Sequence, residues 1–365
     1  MSLPPSQVVG LVPVCLTCLL FCSAGTSGAQ VKKGRMEVST VLLLMIIATV
    51  VYNVYKWYLE RERIDKITDK SVLITGCDTG FGFELAQRLD GLGFRVFAAC
   101  LTEDGVGSVR AACSERTVPI IMDVSQHDSV QNCFQIVKTA VGQGGLWGVV
   151  NNAGVVGGGM PVAELCLLDD YRQALDINLI GTVDVSLTFL PLLKRCRGRL
   201  VNVSSCMGRF ATRLGPYCTS KFAIEGFSDS LRRSLPKLFG VSVHLIEPGG
   251  YKTRFGDENR ARTAFMNAWK RLPAELQDEY GDEYREQVSE GLIDSFQSLA
   301  SSKTHEVIDA MEHALCAANP RSRYVVGLDA MLLLIPLSWL PTSLADALFC
   351  NAKKPPVPAA LKKSH

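Results

Sequence analysis

The chain has 365 residues, enough for one large domain with a substantial core or for two small ones. A formal charge of +2 and a charged fraction of 20% leave no basic footprint for nucleic acid. Thirteen scattered cysteines, an odd number, read as reduced apolar fillers, and neither they nor the five histidines fall at metal-ligand spacing, so no metal site is expected. Residues 1–35 form an apolar leader. Ser27-Gly28-Ala29 has the small residues of a signal-peptidase site, but residues 1–7 carry no positive charge, which weakens a secretory reading. The first arginine is Arg35, which argues against a mitochondrial presequence, and Met36 is an alternative start. Cys15-Leu16-Thr17-Cys18 has CxxC spacing with no second pair beside it.

Residues 36–60 are expected to form a membrane anchor helix. The run from Val41 to Val51 is apolar, and Tyr52, Tyr55, Trp57 and Tyr58 make an aromatic belt before Glu60-Arg61-Glu62-Arg63. An amphipathic helix lying on a surface is the alternative. Basic residues flank both ends (Lys32, Lys33 and Arg35; Lys56, Arg61 and Arg63), so orientation stays open.

From residue 71 the pattern alternates. Short apolar runs at 72–74, 96–99, 119–122, 148–150, 199–203 and 241–246 read as buried parallel strands, with a seventh near 323–326. Helical periods fall between them at 83–92, 128–141, 167–195 and 217–235. This alternation predicts an α/β doubly wound parallel sheet of Rossmann type over 71–330, with its ligand crevice at the carboxyl ends of the strands. A charged helical insertion at 255–293 interrupts the last βα unit and is placed to cap that crevice. The tail at 331–365 is apolar, and Pro336 and Pro341 argue against a single straight spanning helix. A membrane-leaning or lid element and ordinary core packing are both open for it.

The chemistry is concentrated in four segments. Gly76, Gly80 and Gly82 follow the first strand and open a helix, where glycines let the backbone approach a pyrophosphate seated on the helix amino terminus. The second strand ends at Cys100. Glu103 and Asp104 follow, with no lysine or arginine near, so a ribose 2′-hydroxyl fits better than a 2′-phosphate and NAD is expected over NADP. Asp123 ends the third strand and suits the adenine amino group. Asn152-Ala153-Gly154 end the fourth, where a tight turn must stay close to the cofactor, although Asn151 and Asn152 also suit plain bracing of neighbouring strands. Tyr217 and Lys221 lie four apart on one helix face, where an ammonium can lower a phenol's pKa and give a proton donor and acceptor near neutral pH. Together and in this order, the four segments point to nicotinamide-dependent hydride transfer.

The segments TGCDTGFG, LWGVVNNAG, DINLIGT, GRLVNVSS, PYCTSKFAIEGFSDSLRR and IEPGGYKT resemble the short-chain dehydrogenase/reductase family. GCDTGFG, ACLTEDG, FSDSLRR and the ending RSRYVVGLDA resemble its microsomal retinol and hydroxysteroid (sterol) dehydrogenases; the mitochondrial hydroxybutyrate enzymes are more distant. The resemblance implies Tyr217 as general base in alcohol oxidation, with Lys221 holding the nicotinamide ribose. It implies Ser205, with Ser204 the fallback, orienting the substrate oxygen, and Asn178 bending a helix and holding a relay water. Cofactor contacts are implied for Gly76, Asp78, Thr79, Gly80, Phe81, Gly82 and Cys100, then for Asp123, Asn152, Ala153 and Gly154, and for Tyr217 and Lys221 themselves. Pro248, Gly249 and Thr253 would close over the nicotinamide and diphosphate. The implied substrate is a small hydrophobic alcohol, a retinoid or steroid, at the endoplasmic reticulum membrane, and a homodimer is among the assemblies the resemblance allows. An NADPH-dependent carbonyl reductase and a silent dinucleotide-binding scaffold are the alternatives.

Overall fold

The computed structural model describes residues 28–252, 258–351 and 356–362. The leader with Cys15 and Cys18, and also Thr253, lie outside the described residues. The chain divides into two compact units, the amino-terminal segment to Ile64 with Ala317–Pro320, and Asp65–Cys316 with Arg321–His365.

In the first unit, helix α1 (Gly28–Glu60) begins eight residues before the expected anchor. Val41, Leu43, Leu44, Ile46, Ile47, Val50 and Val51 are all exposed. Its few polar groups are satisfied locally: Thr49 Oγ1 donates to Met45 O at 2.6 Å and Asn53 Nδ2 to Thr49 O at 2.7 Å. That is how a helix keeps polar side chains within an apolar run.

The second unit is built on seven parallel strands in the order β3-β2-β1-β4-β5-β6-β7. The first half runs β1 (Ser71–Thr75), α2 (Gly80–Leu92), β2 (Arg95–Cys100), α3 (Glu103–Ala112), β3 (Thr117–Ile121), α4 (His127–Val141) and β4 (Gly148–Asn151). Then come α5 (Leu168–Ala174), a π-turn at Leu175–Ile180, α6 (Gly181–Cys196), β5 (Arg199–Val203), α7 (Gly215–Phe239) and β6 (Ser242–Pro248). In register, Val72 lies beside Val96 and Gly148, and Leu200 beside Val149 and Val243.

Period-two alternation assigns each strand's side chains to two cores. Val72, Ile74, Val96, Ala98 and Val201 pack with Leu85, Leu89, Met311 and Leu315. Leu73, Phe97, Val149 and Leu200 pack with Val130, Val137, Phe189 and Leu192 on the other face. Burial on both faces explains why the strands read as unbroken apolar runs. Each of the larger side chains among them stabilises the fold by about 2 kcal/mol through removal from water.

Three local outcomes differ from the expectation. Helix α2 starts at Gly80 rather than 83, because the glycine turn runs directly into it. Helix α3 was not foreseen; Thr102 caps it by accepting the Gly105 N–H at 3.0 Å, and Glu103 and Asp104 occupy its first turn, where the helix dipole favours acids. The expected helix 167–195 is interrupted by the π-turn, and Pro216 opens α7.

The insertion folds as α8 (Glu258–Lys270), α9 (Ala274–Tyr280) and α10 (Asp282–Leu299). It has its own core, in which Phe265, Trp269, Leu272 and Tyr284 meet Met160, Val162 and Leu165. After α11 (His305–Cys316) and β7 (Arg323–Val326), the tail breaks near its prolines into a π-turn at Ala330–Leu334, a short turn at Ile335–Leu337 and α12 (Thr342–Asn351). Ala330, Leu334 and Ile335 pack on Cys206, while Leu332, Leu333, Trp339, Leu344 and Leu348 stay exposed. One face of the tail is thus packed on the domain and the other is apolar and exposed.

Candidate active site

Strand order reverses between β1 and β4, which opens a crevice at their carboxyl ends. The glycine turn lies there. Gly76 has φ +71°, and a Cβ on Gly82 would stand 2.4 Å from Gly76 O and 2.6 Å from Asn152 Nδ2. Asn152 Nδ2 donates to Thr75 O at 2.9 Å and Gly76 O at 3.1 Å, while Thr75 Oγ1 accepts the N–H groups of Asn152 and Ala153, both at 3.0 Å. The two strand ends are thus sewn together beneath the turn. Thr79 precedes α2 without capping it through its side chain, so the first-turn N–H groups suit an anion. The residues fit a dinucleotide diphosphate.

Other expected contacts take more specific places. The Asp78 carboxylate accepts the N–H of Leu101 at 2.8 Å, the N–H of Thr102 at 2.9 Å and the Thr102 hydroxyl at 2.7 Å, so it braces the end of β2. The Phe81 ring meets Tyr251 edge-on, with centroids 5.8 Å apart. Cys100 is fully buried, and burial pushes its thiol up to about 12, which leaves it inert at neutral pH. Asp123 Oδ1 accepts the Ser125 N–H at 2.9 Å and its hydroxyl at 2.7 Å. Asn151 reaches Ser186 Oγ and Asn202 Oδ1, both at 2.8 Å, which is the bracing role.

Across the crevice, Ser205, Tyr217 and Lys221 converge. The Ser205 hydroxyl is hydrogen-bonded to the Tyr217 phenol. It also accepts the Met207 N–H at 3.1 Å. Ser204 Oγ instead donates to Lys221 O at 3.4 Å, so it faces the helix backbone and Ser205 faces the phenol. Lys221 is buried, its Nζ donates to Val203 O at 2.9 Å, and it lies 5.5 Å from the Tyr217 ring centroid. Asn178, fully buried in the π-turn, accepts the Val155 N–H and donates to Val155 O, both at 2.8 Å, and donates to Ser220 Oγ at 2.9 Å. It therefore ties the loop after Gly154 to the helix that carries Tyr217. Pro248–Gly250 is held by the Gly249 N–H on Val326 O at 2.8 Å and the Gly250 N–H on Asp329 Oδ2 at 2.7 Å.

Burial shapes the electrostatics of both catalytic candidates. Burial pushes the Tyr217 phenol well above its ordinary range, and the Ser205 hydrogen bond recovers only part of that shift. Burial also pushes Lys221 down to about 8, opposed by the charge of Glu225. In this arrangement the ammonium is turned to a carbonyl and desolvation dominates the phenol.

Several residues had no sequence signal of their own. Asp329 holds the Gly250 turn from 79 positions away. Arg323 on β7 joins Glu225 on α7 to Glu247 on β6, and pairs with Asp229 at 2.8 Å. Glu225 and Asp229 could have been found, since they continue the face of Tyr217 and Lys221 in steps of four.

The short chain dehydrogenase pattern matches residues 70–264. The chain belongs to the short-chain dehydrogenase family. It is an NAD(P)-dependent oxidoreductase acting on CH–OH groups. Human retinol dehydrogenase 16 is 43% identical over 308 residues, covering 84% of this chain and 96% of that protein. Human 17-beta-hydroxysteroid dehydrogenase type 6 is 42% identical, again covering 84% and 96%. Among solved structures, a Burkholderia phymatum short-chain dehydrogenase in complex with NAD superposes with a TM-score of 0.59 at 22% identity, covering 79% of this chain and 97% of that one. A Burkholderia cenocepacia short-chain dehydrogenase in complex with NADP gives 0.58 at 21% identity, covering 78% and 98%. At those identities the two structures speak for the fold.

Proposed function

We infer that this short-chain dehydrogenase is a membrane-bound, NAD-dependent oxidoreductase of hydrophobic secondary or allylic alcohols of the retinoid or hydroxysteroid class. The convergence of Ser205, Tyr217 and Lys221, with Asn178 bracing the loop opposite, carries the reading. The Ser205 hydroxyl orients the substrate oxygen, and Tyr217 exchanges the hydroxyl proton with it. Lys221 and the Gly76–Gly82 turn hold the dinucleotide, which supplies the hydride acceptor when bound. NAD is favoured because Asp78 already places a carboxylate against the end of β2, with Glu103 and Asp104 beside it, where a 2′-phosphate would meet negative charge. The exposed apolar length of α1 and the exposed face of the tail support membrane attachment.

A protonated Tyr217 can donate to a substrate carbonyl and must pass its proton on before it can accept one from an alcohol. The test is a cofactor-reduction screen over retinoids and hydroxysteroids with membranes from expressing cells. NADH formation with at least one such alcohol is expected. Tight NAD binding without turnover of any of them would overturn the reading, and much tighter NADPH binding would overturn the cofactor choice.

A further inference from the structure

Gly157, Gly158 and Gly159 follow the Asn178-braced loop, and all three have left-handed φ, at +82°, +64° and +80°. The run is wedged among three elements. A Cβ on Gly157 would stand 2.9 Å from Ala174 Cβ and 3.2 Å from Pro216 Cβ, next to Tyr217. One on Gly158 would stand 2.2 Å from the Asp170 carboxyl carbon, and one on Gly159 2.7 Å from Ala264 Cβ of the insertion.

At this junction Asp170, only 3% exposed, accepts from Arg271 Nη2 at 2.7 Å through Oδ1 and from the Leu167 N–H at 3.0 Å through Oδ2. Arg271 Nη2 also lies 3.4 Å from Gly158 O. Arg271 immediately follows α8, so a single guanidinium joins the insertion, the glycine run and α5. Among the described residues the core shared by insertion and loop is apolar, with Phe265, Trp269 and Leu272 against Met160, Val162 and Leu165. Apolar packing is non-directional and tolerates sliding, whereas a charge-assisted hydrogen bond to a buried carboxylate is directional and fixes register.

The geometry points to Arg271 and Asp170 as a latch that seats the insertion against the Gly157–Gly159 loop and so positions bulky apolar substrates beside Tyr217. Arg271 is a positioning residue; neither it nor Asp170 touches the phenol. This inference rests on reading the crevice as an alcohol site. It adds that discrimination by substrate size resides in the latch, whereas a small alcohol needs only Ser205 and Tyr217.

The test compares the full-length protein with Arg271→Met and Arg271→Lys in detergent micelles. It uses retinol and a short secondary alcohol as probes, with hydrogen exchange measured in parallel. For Arg271→Met we expect KM for retinol to rise on the order of ten-fold, the scale of one lost charge-assisted hydrogen bond. Turnover at saturation, the KM for the small alcohol and NADH affinity should stay within about two-fold, the signature of lost uniform binding. Arg271→Lys should recover most of the retinol KM, and amides of α8 and residues 157–167 should exchange faster in Arg271→Met alone. Unchanged retinol KM in Arg271→Met, equal losses for both alcohols and for NADH, or no rescue by lysine would each overturn the latch. If the wild-type protein turns over neither alcohol, the functional reading has failed, and the exchange measurement alone then decides the latch: equal exchange in all three proteins sinks it.

Discussion

Tyr217 and Lys221 illustrate how burial sets acid–base chemistry at a single residue. The phenol is held neutral by desolvation, with one hydrogen bond from Ser205 working against that. The proton it exchanges should be worth the usual contribution of a positioned acid–base group. Tyr217→Phe is therefore expected to lower turnover by about 10³-fold. NADH affinity, read by fluorescence titration, should be kept, because the Gly76–Gly82 turn is untouched. Retained turnover would remove the phenol from the mechanism. The pH dependence follows from the same direction of shift. A group whose pKa lies above its ordinary value stays protonated through neutral pH, so carbonyl reduction should be supported at pH 7. Alcohol oxidation needs the phenolate and should climb as pH rises above 7. Initial rates in both directions between pH 6 and 9 check this; an oxidation rate that falls over that range contradicts it.

At the scale of elements, what was legible in the sequence is what local pattern encodes. Buried parallel strands announce themselves as apolar runs, and all seven were placed to within a residue or two. The Gly76–Gly82 turn and the Tyr217/Lys221 face are short-range spacings, so they too could be read directly. Helix α3 was missed because Glu103-Asp104-Gly105 reads as loop until Thr102 is seen as its cap. The Asp329 and Arg271 contacts join positions 79 and 101 residues apart, and no periodicity reports such pairs. The π-turn is an intermediate case, since its location follows from Asn178, whose side chain must reach Val155 and Ser220 at once. Asn178→Ala should leave the Val155 N–H and carbonyl without that partner, at a cost of about 2 kcal/mol. Denaturant unfolding should show that loss together with reduced turnover. Loss of turnover at unchanged stability would mean that the residue does not brace the loop.

For the whole molecule, two buried groups make opposite contributions to stability as pH changes. His244 is 3% exposed, with its ring nitrogens 2.6 Å from Arg321 O and 2.8 Å from Ser242 Oγ, and burial holds its pKa down at about 4. The unfolded chain takes up this proton near the ordinary 6.5, so stability present above that value is lost as pH falls toward 4, by about 3 kcal/mol in all. Glu247 is fully buried beside Glu225 and Arg323, and desolvation with the neighbouring carboxylate holds its pKa above the ordinary 4.5. Its contribution has the other sign. It is fully present below 4.5 and is lost as pH rises toward neutrality. The two slopes oppose one another between pH 4.5 and 6.5, so the wild-type unfolding midpoint should change less there than in either single variant. His244→Gln keeps a hydrogen-bonding side chain without a titrating proton, and should unmask a midpoint that declines with rising pH. Glu247→Gln should unmask one that climbs. The check is urea unfolding in detergent micelles at several pH values, and two variants that both run parallel to the wild type would show that neither group is held as this packing requires.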